Sequence, residues 1–242
     1  MHKVKIKFIR SLQIKKYRRA EGLFIAEGRK SVEALLKSQI EVKEIYVTPV
    51  YEHDFRDAGG VGISESEMQK ISALDTPPGI LAVCAIPPPG KEPDLNSELA
   101  LALDGISDPG NMGTIIRVAH WFGIGHIYCS LNCTDAYGPK AVQGSMGSIA
   151  SVHLHDVNLE EWLSRTDGVT VYGAVLNGKS VFTEKLKPAG VLVIGSEANG
   201  ISKEIMPFIK YALSIPAFTK NAPDSLNAAI ATAIICSEFR RR

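Results

Sequence analysis

No apolar run in the sequence comes near the roughly 20 residues that a membrane-spanning helix needs. A secretory signal peptide is equally unsupported, because Lys3, Lys5, Lys7 and Arg10 interrupt the segment where its apolar core would lie. Cysteine is scarce: Cys84, Cys129, Cys133 and Cys236 include no Cys-x-x-Cys pair. That excludes a zinc-finger spacing and a disulfide framework, and it predicts buried free thiols in a reducing, cytoplasmic setting with no metal and no membrane. There is no internal repeat and no low-complexity tract. Gly-x-Gly-x-x-Gly is missing, as is a phosphate-loop lysine, so neither a dinucleotide fingerprint nor a nucleotide-triphosphate loop is present.

What remains is an ordinary globular composition, 242 residues with 45% hydrophobic and 22% charged side chains, enough for one or two cores. The net charge of +1 conceals an asymmetry. Residues 1–30 carry ten Lys/Arg against Glu21 and Glu27, a local charge of +8, which leaves 17 basic and 24 acidic residues, or −7, in the rest. Such a basic lead is the footprint of a polyanion partner, foremost nucleic acid, with a solubilising tail as the bland alternative. Arg240, Arg241 and Arg242 could add to the same patch or fray.

Periodicity divides the chain in two. A strand is expected at 23–26, then a helix with Val32, Leu35 and Leu36 on its buried face. A strand at 42–47 follows, then a helix opened by the capping-box pair Ser64 and Glu67, and a strand at 80–86. Residues 1–86 thus form a small α/β unit, and the consecutive prolines of 87–93 make 87–98 a stiff linker. The second unit, 99–242, alternates strands (99–103, 126–129, 152–154, 169–176, 191–195, 212–215) with helices, the pattern of right-handed crossovers in a parallel sheet. One helix is expected over 112–122 with Asn111 as its cap and Ile115, Val118, Ala119 and Phe122 facing inward. Its Thr114, Arg117 and Trp121 share another face, where Arg117 either reaches back over the preceding loop or simply stacks on Trp121. Ser225 is expected to cap the last helix.

The buried strand 191–194 runs straight into Gly195-Ser196-Glu197-Ala198-Asn199-Gly200, with a helix expected from Ser202 towards Ile209. Such a turn can need glycine dihedrals and nothing more. It can also aim backbone N–H groups at a ligand. Glu197 sets a carboxylate where a pyrophosphate would need donors, which favours a ligand neutral or cationic at that end, such as S-adenosylmethionine. Loops 104–111, 195–200 and 215–227 all leave strand ends at the carboxyl edge of the sheet, where open α/β sheets bind ligands.

Three motifs then coincide. Leu103-Asp104-x-Ile106-x-Asp108-Pro109-x-Asn111-x-Gly113-x-Ile115-x-Arg117-x-Ala119-x-x-Phe122-Gly123 resembles the first motif of the SpoU/TrmH family of RNA ribose 2′-O-methyltransferases. Ile194-Gly195-x-Glu197-x-x-Gly200-Ile201 resembles the second, and Ile215-Pro216 with Ser225-Leu226-Asn227 the third. Lys16-x-Arg18-x-x-x-Gly22-x-Phe24-x-x-Glu27-Gly28 and Thr76-Pro77-x-Gly79 are similar to the family's small substrate-binding domain, so nearly the whole chain is covered.

The resemblance implies a C-terminal parallel-sheet SPOUT fold with a deep trefoil knot, behind a small N-terminal α/β domain like ribosomal protein L30e. It implies a homodimer that binds S-adenosylmethionine and methylates a ribose 2′-hydroxyl in structured RNA, ribosomal RNA ahead of transfer RNA. Cofactor contacts fall on Gly195, Gly200, Ile201, Ile215 and Leu226, and Asn111, Arg117, Glu197, Ser225 and Asn227 line the reaction site. Proposals for the family give the hydroxyl proton to the arginine at Arg117; a phosphate clamp is the alternative. Lys15, Lys16, Arg18, Arg19 and Arg29 are the expected RNA contacts, while the histidines are expected to be structural. Two departures bear on substrate choice: the loop 218–224 is longer than usual, and Gln143 stands where many relatives carry arginine. A non-catalytic RNA-binding protein on the same fold is the competing expectation.

Overall fold

The computed structural model describes residues 1–241 apart from Lys220 and Ala222. Part of the loop 218–224 and the last of the three terminal arginines therefore lie outside the described residues. In chain order the elements of the first part are α1 (Lys3–Ser11), α2 (Lys15–Glu21), β1 (Leu23–Glu27), α3 (Arg29–Leu36), β2 (Val42–Val47), α4 (Pro49–Glu52), β3 (Gly60–Gly62), α5 (Glu65–Ile71) and β4 (Ile80–Ala85). Then come β5 (Leu99–Asp104), α6 (Pro109–Trp121), β6 (His126–Ser130), α7 (Pro139–Ser145), β7 (His153–Val157) and α8 (Leu159–Ser164). The chain ends with β8 (Val171–Ser180), β9 (Gly190–Gly195), β10 (Tyr211–Ser214) and α9 (Ala228–Arg240).

Two compact units result, and their division is not linear. The first contains Met1–Pro88 together with Asp135–Ala150, and the second Pro89–Thr134 with Ser151–Arg242. In the first unit a four-stranded sheet of order β1-β4-β2-β3 is antiparallel except where β3 joins β2. Ile9, Leu12, Ile25, Met68, Ile71 and Leu81 fill a core on one side of it. The capping box at Ser64 and Glu67 forms as expected. Leu36 does not join the inner face of α3 and is 39% exposed; the helix stops there, and Ser31, Val32 and Leu35 are its buried residues.

The segment Asp135–Ala150 belongs to this unit through specific contacts. Tyr137 packs on Phe24 with ring centroids 5.1 Å apart, and α7 lies against β1. Arg18 is the third link. Only 4% exposed, it donates from Nε to Asp135 Oδ2 at 3.0 Å and from Nη1 to the Leu12 carbonyl at 2.7 Å. A fully engaged, buried guanidinium cannot meet RNA, so the expectation for Arg18 is corrected: it is a structural pin. Its burial follows from its place on the inner side of the two-turn helix α2, a feature that charge counting ignores.

The second unit is built on a six-stranded, wholly parallel sheet of order β10-β8-β9-β5-β6-β7. Central strands of such a sheet are covered on both faces and read as continuous apolar runs. Accordingly β5 is buried throughout and β9 up to Gly195. Strand β9 enters between β5 and β8, after β6 and β7 have already been laid down on the far side of β5. The pairing of β10 with β8 jumps from Ala212↔Gly173 to Leu213↔Lys179, so β8 bows outward over 174–178.

Four local expectations are corrected here. Helix α6 starts at Pro109 with Asp108 as cap, its side chain accepting from the Asn111 N–H at 2.8 Å. Asp-Pro is the better start, since Pro at the first helical position loses no hydrogen bond. Asn111 then sits in the first turn of the helix, and its side-chain amide is engaged by Glu197 and Asn227. Met112, Ile115, Ile116 and Ala119 form the buried face instead of one including Val118 and Phe122. Helix α9 is capped by Asn227, not Ser225; the Asn227 Oδ1 accepts from Ala229 and Ile230 N–H at 3.0 and 3.2 Å. Finally, 202–209 is not a helix but turns and a short 3-10 segment, Met206–Phe208. Pro207 has no N–H to donate to the carbonyl four residues earlier, so a regular helix cannot run through it.

Candidate active site

Residues of β8, the end of β9 and β10 border a cavity of about 620 Å³ in the second unit, within the range of small-molecule sites. Its walls are the bowed part of β8 (Ala174, Val175, Leu176, Asn177), the turn 194–201, Ile215 and the approach to α9 (Asp224, Ser225, Leu226, Ala228). Apolar side chains of Ile201, Met206, Leu213, Ile215, Leu226 and Ile235 cover much of it. Glu197 and Asp224 are carboxylates in the lining, and among the described lining residues there is no Lys, Arg or His. This electrostatic character favours a cation or zwitterion over a phosphate.

The turn after β9 has its shape imposed by close backbone approach. Ser196 and Gly200 exchange hydrogen bonds, N–H to O at 3.1 and 2.8 Å. A Cβ on Gly195 would lie 2.1 Å from the Gly200 carbonyl carbon, so no side chain fits there. The turn projects Glu197 towards α6, where its Oε1 accepts from Asn111 Nδ2. Asn111 Oδ1 in turn accepts from Asn227 Nδ2 at 2.8 Å. One chain of hydrogen bonds thus joins the turn after β9 to the N-terminal ends of α6 and α9, far apart in sequence, and it orients both amides. Asn111 is half-buried and Glu197 and Asn227 are exposed, so the network is open to a ligand.

The expected site residues fall into groups. Gly195, Gly200, Ile201, Ile215, Leu226, Glu197 and Ser225 line the cavity. Asn111 and Asn227 reach it through Glu197. Arg117 does not line it; it is exposed on α6 and has no hydrogen-bond or ion-pair partner among the described residues. In the first unit Lys16 and Arg19 are exposed and Lys15 half-buried, while Arg29 is exposed but paired with Glu33 at 2.7 Å and Asp54 at 2.9 Å. Gln143 lies on α7 in the first unit and is not in the lining. The bowed stretch 174–177 was missed from the sequence, because a bulge of β8 leaves no mark in hydrophobic periodicity. Met206 and Asp224 were missed as well; only proximity to the motifs pointed to Asp224.

The histidines lie elsewhere, as expected. His126 Nδ1 and His155 Nε2 are 3.1 Å apart, and His155 stacks on Tyr128 at 4.5 Å. Burial pushes both pKa values down, that of His155 to about 4. All four cysteines are free and buried. Cys133, just after β6, is drawn down to about 7 by hydrogen bonds from Cys129, Ser130 and the Ile106 and Gly105 amides. Among the described residues no helix is long and apolar enough to cross a membrane, and no His/Cys/Asp/Glu group could hold a metal ion.

Fold and cavity together define an α/β protein that takes a phosphate-free small molecule at the carboxyl edge of a parallel sheet. Comparison with known proteins narrows this. Residues 98–237 match the model of the SpoU rRNA Methylase family, and residues 3–82 that of the MRM3-like substrate binding domain. The chain belongs to the SpoU rRNA methylase family. A Bacillus subtilis relative, the 23S rRNA (guanosine(2553)-2′-O)-methyltransferase RlmP, is 29% identical over 98% of this chain and 96% of its own length. Among solved structures, a TrmH-family protein from Porphyromonas gingivalis superposes with a TM-score of 0.89 at 39% identity over 100% of this chain and 98% of that one. The AdoMet-bound rRNA methyltransferase from Sinorhizobium meliloti gives 0.88 at 29% identity over 99% and 95%. The second unit therefore has the parallel-sheet SPOUT-type methyltransferase fold of these neighbours. Relatives named as methyltransferases lend no support to the non-catalytic alternative.

Proposed function

We propose that this protein is an S-adenosylmethionine-dependent methyltransferase acting on a ribose 2′-hydroxyl of ribosomal RNA. The observation that carries the proposal is the cavity with two carboxylates, an apolar wall and no cationic side chain among its described lining residues. Such a site suits a cofactor bearing a sulfonium and an ammonium group and no phosphate, and the 2′-hydroxyl is the group that distinguishes RNA from DNA. The names of the B. subtilis and S. meliloti relatives agree with both halves of the reaction.

The residues present fit that cofactor. Gly195, Gly200, Ile201, Ile215 and Leu226 would hold it, largely through backbone and apolar contact, and when bound it supplies an electrophilic methyl group. Glu197, Asn111, Asn227 and Ser225 position the ribose, the first three as one hydrogen-bonded set. Holding two reactants in line contributes on the order of 7–11 kcal/mol of a barrier. Arg117, exposed on α6 and without an ion-pair partner among the described residues, serves to clamp an RNA phosphate next to the reacting ribose.

The rest of the proposal follows the same lines. Residues 1–86 act as an RNA substrate-binding domain of the L30e-like kind, 87–98 as a linker and 99–242 as the methyltransferase domain, except that the segment 135–150 packs with the first of these. Lys15, Lys16, Arg19 and Arg29 supply phosphate contacts. The insertion of β9 between β5 and β8 is the arrangement expected of a trefoil-knotted SPOUT domain. Trp121 at 81% exposure and Ile230 at 52%, on α6 and α9, offer apolar surface for a second copy in a homodimer. The enzyme works in the cytoplasm and needs no metal. Titration calorimetry with S-adenosylmethionine tests the cofactor: saturable heat at micromolar concentration is expected, and none at high micromolar refutes it. Ribose-methylation mapping of RNA from cells with and without the gene tests the reaction, with one ribosomal site lost as the expected result.

A further inference from the structure

The geometry assigns Asp104 as a positioning residue that anchors the cofactor-side turn to the end of β5. Asp104 is the last residue of that strand, in register with Gly195, the last residue of β9. Its carboxylate is buried, the residue being 8% exposed. Oδ2 accepts from the backbone N–H of Ser202 at 2.7 Å, the distance of a charge-assisted hydrogen bond. Asp104 does not touch the cavity, so its action is on the chain that forms the cavity wall.

Three features make this bond a control point. First, the backbone of the turn 196–200 closes upon itself, through Ser196, Asn199 and Gly200. Besides β9, the hydrogen bonds that fix it to the rest of the unit among the described residues are the side-chain bond from Asn111 to Glu197 and the bond from Ser202 to Asp104. Second, Ser202 is where the next turn begins: its carbonyl accepts from the Ile205 and Met206 N–H groups at 3.2 and 3.0 Å. Holding the Ser202 N–H therefore sets both the exit of the first turn and the start of the segment that brings Met206 to the cavity. Third, the anchor itself is rigid. Gly105, at φ +70° in the left-handed region, donates to Ser130 Oγ at 3.0 Å, and the Thr134 N–H donates to the Ile106 carbonyl at 2.8 Å. The turn after β6 thus grips the chain immediately beyond Asp104. A buried carboxylate with a single backbone partner is costly to keep unless its placement matters.

The role of Asp104 in cofactor binding rests on the methyltransferase proposal, but the tether can be tested without it. Hydrogen–deuterium exchange of the intact protein, followed on peptides spanning 196–206, reads the tether directly. In Asp104→Ala the exchange of this segment should quicken by about tenfold, the equivalent of one lost charge-assisted hydrogen bond. Asp104→Asn, whose Oδ1 can still accept from Ser202, should stay within about threefold of wild type. Glu197→Gln should leave the Ser202 amide unchanged. S-adenosylmethionine affinity, by calorimetry, should fall in the same order: about tenfold for Asp104→Ala and little for Asp104→Asn. Wild-type exchange in Asp104→Ala overturns the tether. Equal loss of affinity in the Ala and Asn variants overturns positioning in favour of the charge itself. Absence of binding to the wild type, with exchange behaving as expected, overturns the cofactor proposal and leaves the tether standing. If Asp104→Ala does not fold, Asp104→Asn and Asp104→Ser carry the same exchange comparison.

Discussion

Asn227 does two jobs that a pair of substitutions can separate. Its Oδ1 caps α9 by accepting from the Ala229 and Ile230 N–H groups, and its Nδ2 donates to Asn111 Oδ1 at 2.8 Å. Asn227→Ala removes both functions and should cost about 1 kcal/mol of stability, the usual worth of an N-cap. Asn227→Asp keeps the cap and puts a negative charge at the start of a 13-residue helix, a favourable place worth roughly 0.3–1 kcal/mol. It should therefore be at least as stable as wild type. An aspartate cannot donate to Asn111, however. The Asn111 amide must turn over to donate to it, and its Oδ1 then faces the Glu197 carboxylate. The orienting chain is broken while the fold is intact. Losing one such bond in a partly open site corresponds to about 1–2 kcal/mol, a factor of roughly 5–30. Urea unfolding and transfer of labelled methyl from S-adenosylmethionine to ribosomal RNA measure the two effects separately. A wild-type transfer rate in Asn227→Asp would refute the orienting role. Equal destabilisation by both substitutions would refute the separation of the two roles.

Four further outcomes are expected. Because the folded pKa of His155 is depressed from 6.5 to about 4, its neutral form stabilises the fold above pH 6.5, and this is lost as pH falls towards 4. Between pH 7 and 4.5 the loss is about 2 kcal/mol from this group, and His155→Gln should flatten the pH dependence of urea midpoints by that amount; parallel curves would count against it. Asp135→Ala strands the buried Arg18 charge and should lower stability by about 3 kcal/mol, against well under 1 kcal/mol for an exposed pair such as Arg165–Glu161. Gly195→Ala should abolish S-adenosylmethionine binding in calorimetry, since the added Cβ meets the Gly200 backbone at 2.1 Å; retained affinity would show that the turn can move aside. If Arg117 clamps a phosphate, Arg117→Lys should keep most of the transfer rate that Arg117→Ala loses, with no change in the pH–rate profile. A base role predicts that Lys fails.

Much of the chemistry was legible in order along the chain. Buried central strands announce themselves as continuous apolar runs, so β5 and β9 and their carboxyl-end loops could be located without coordinates. Glu197 pointed away from a phosphate ligand by charge alone. The three motifs identified the family because their residue types and spacings are local properties. Capping was legible only where competing caps did not overlap: Ser64 stood alone, whereas Asp108 stood beside Asn111 and Asn227 beside Ser225.

Tertiary structure decided what depends on residues meeting across the chain. The Asn227–Asn111–Glu197 chain joins one turn to the starts of two helices, and no spacing rule links the partners. Arg18 looked like one more member of a basic lead, and only the packing of residues 135–150 on the first unit made it a buried pin. The outward bow of β8 arises from a register jump against β10, a pairing property that neither strand carries alone. The same holds for Asp104, one acidic residue among 26 in composition, whose importance comes from the Ser202 amide that the fold brings to it. Local sequence determines which segments become strands, turns and helices because those choices depend on neighbours within a few residues. Burial, pairing and partnership depend on the whole chain, and there the site took its form.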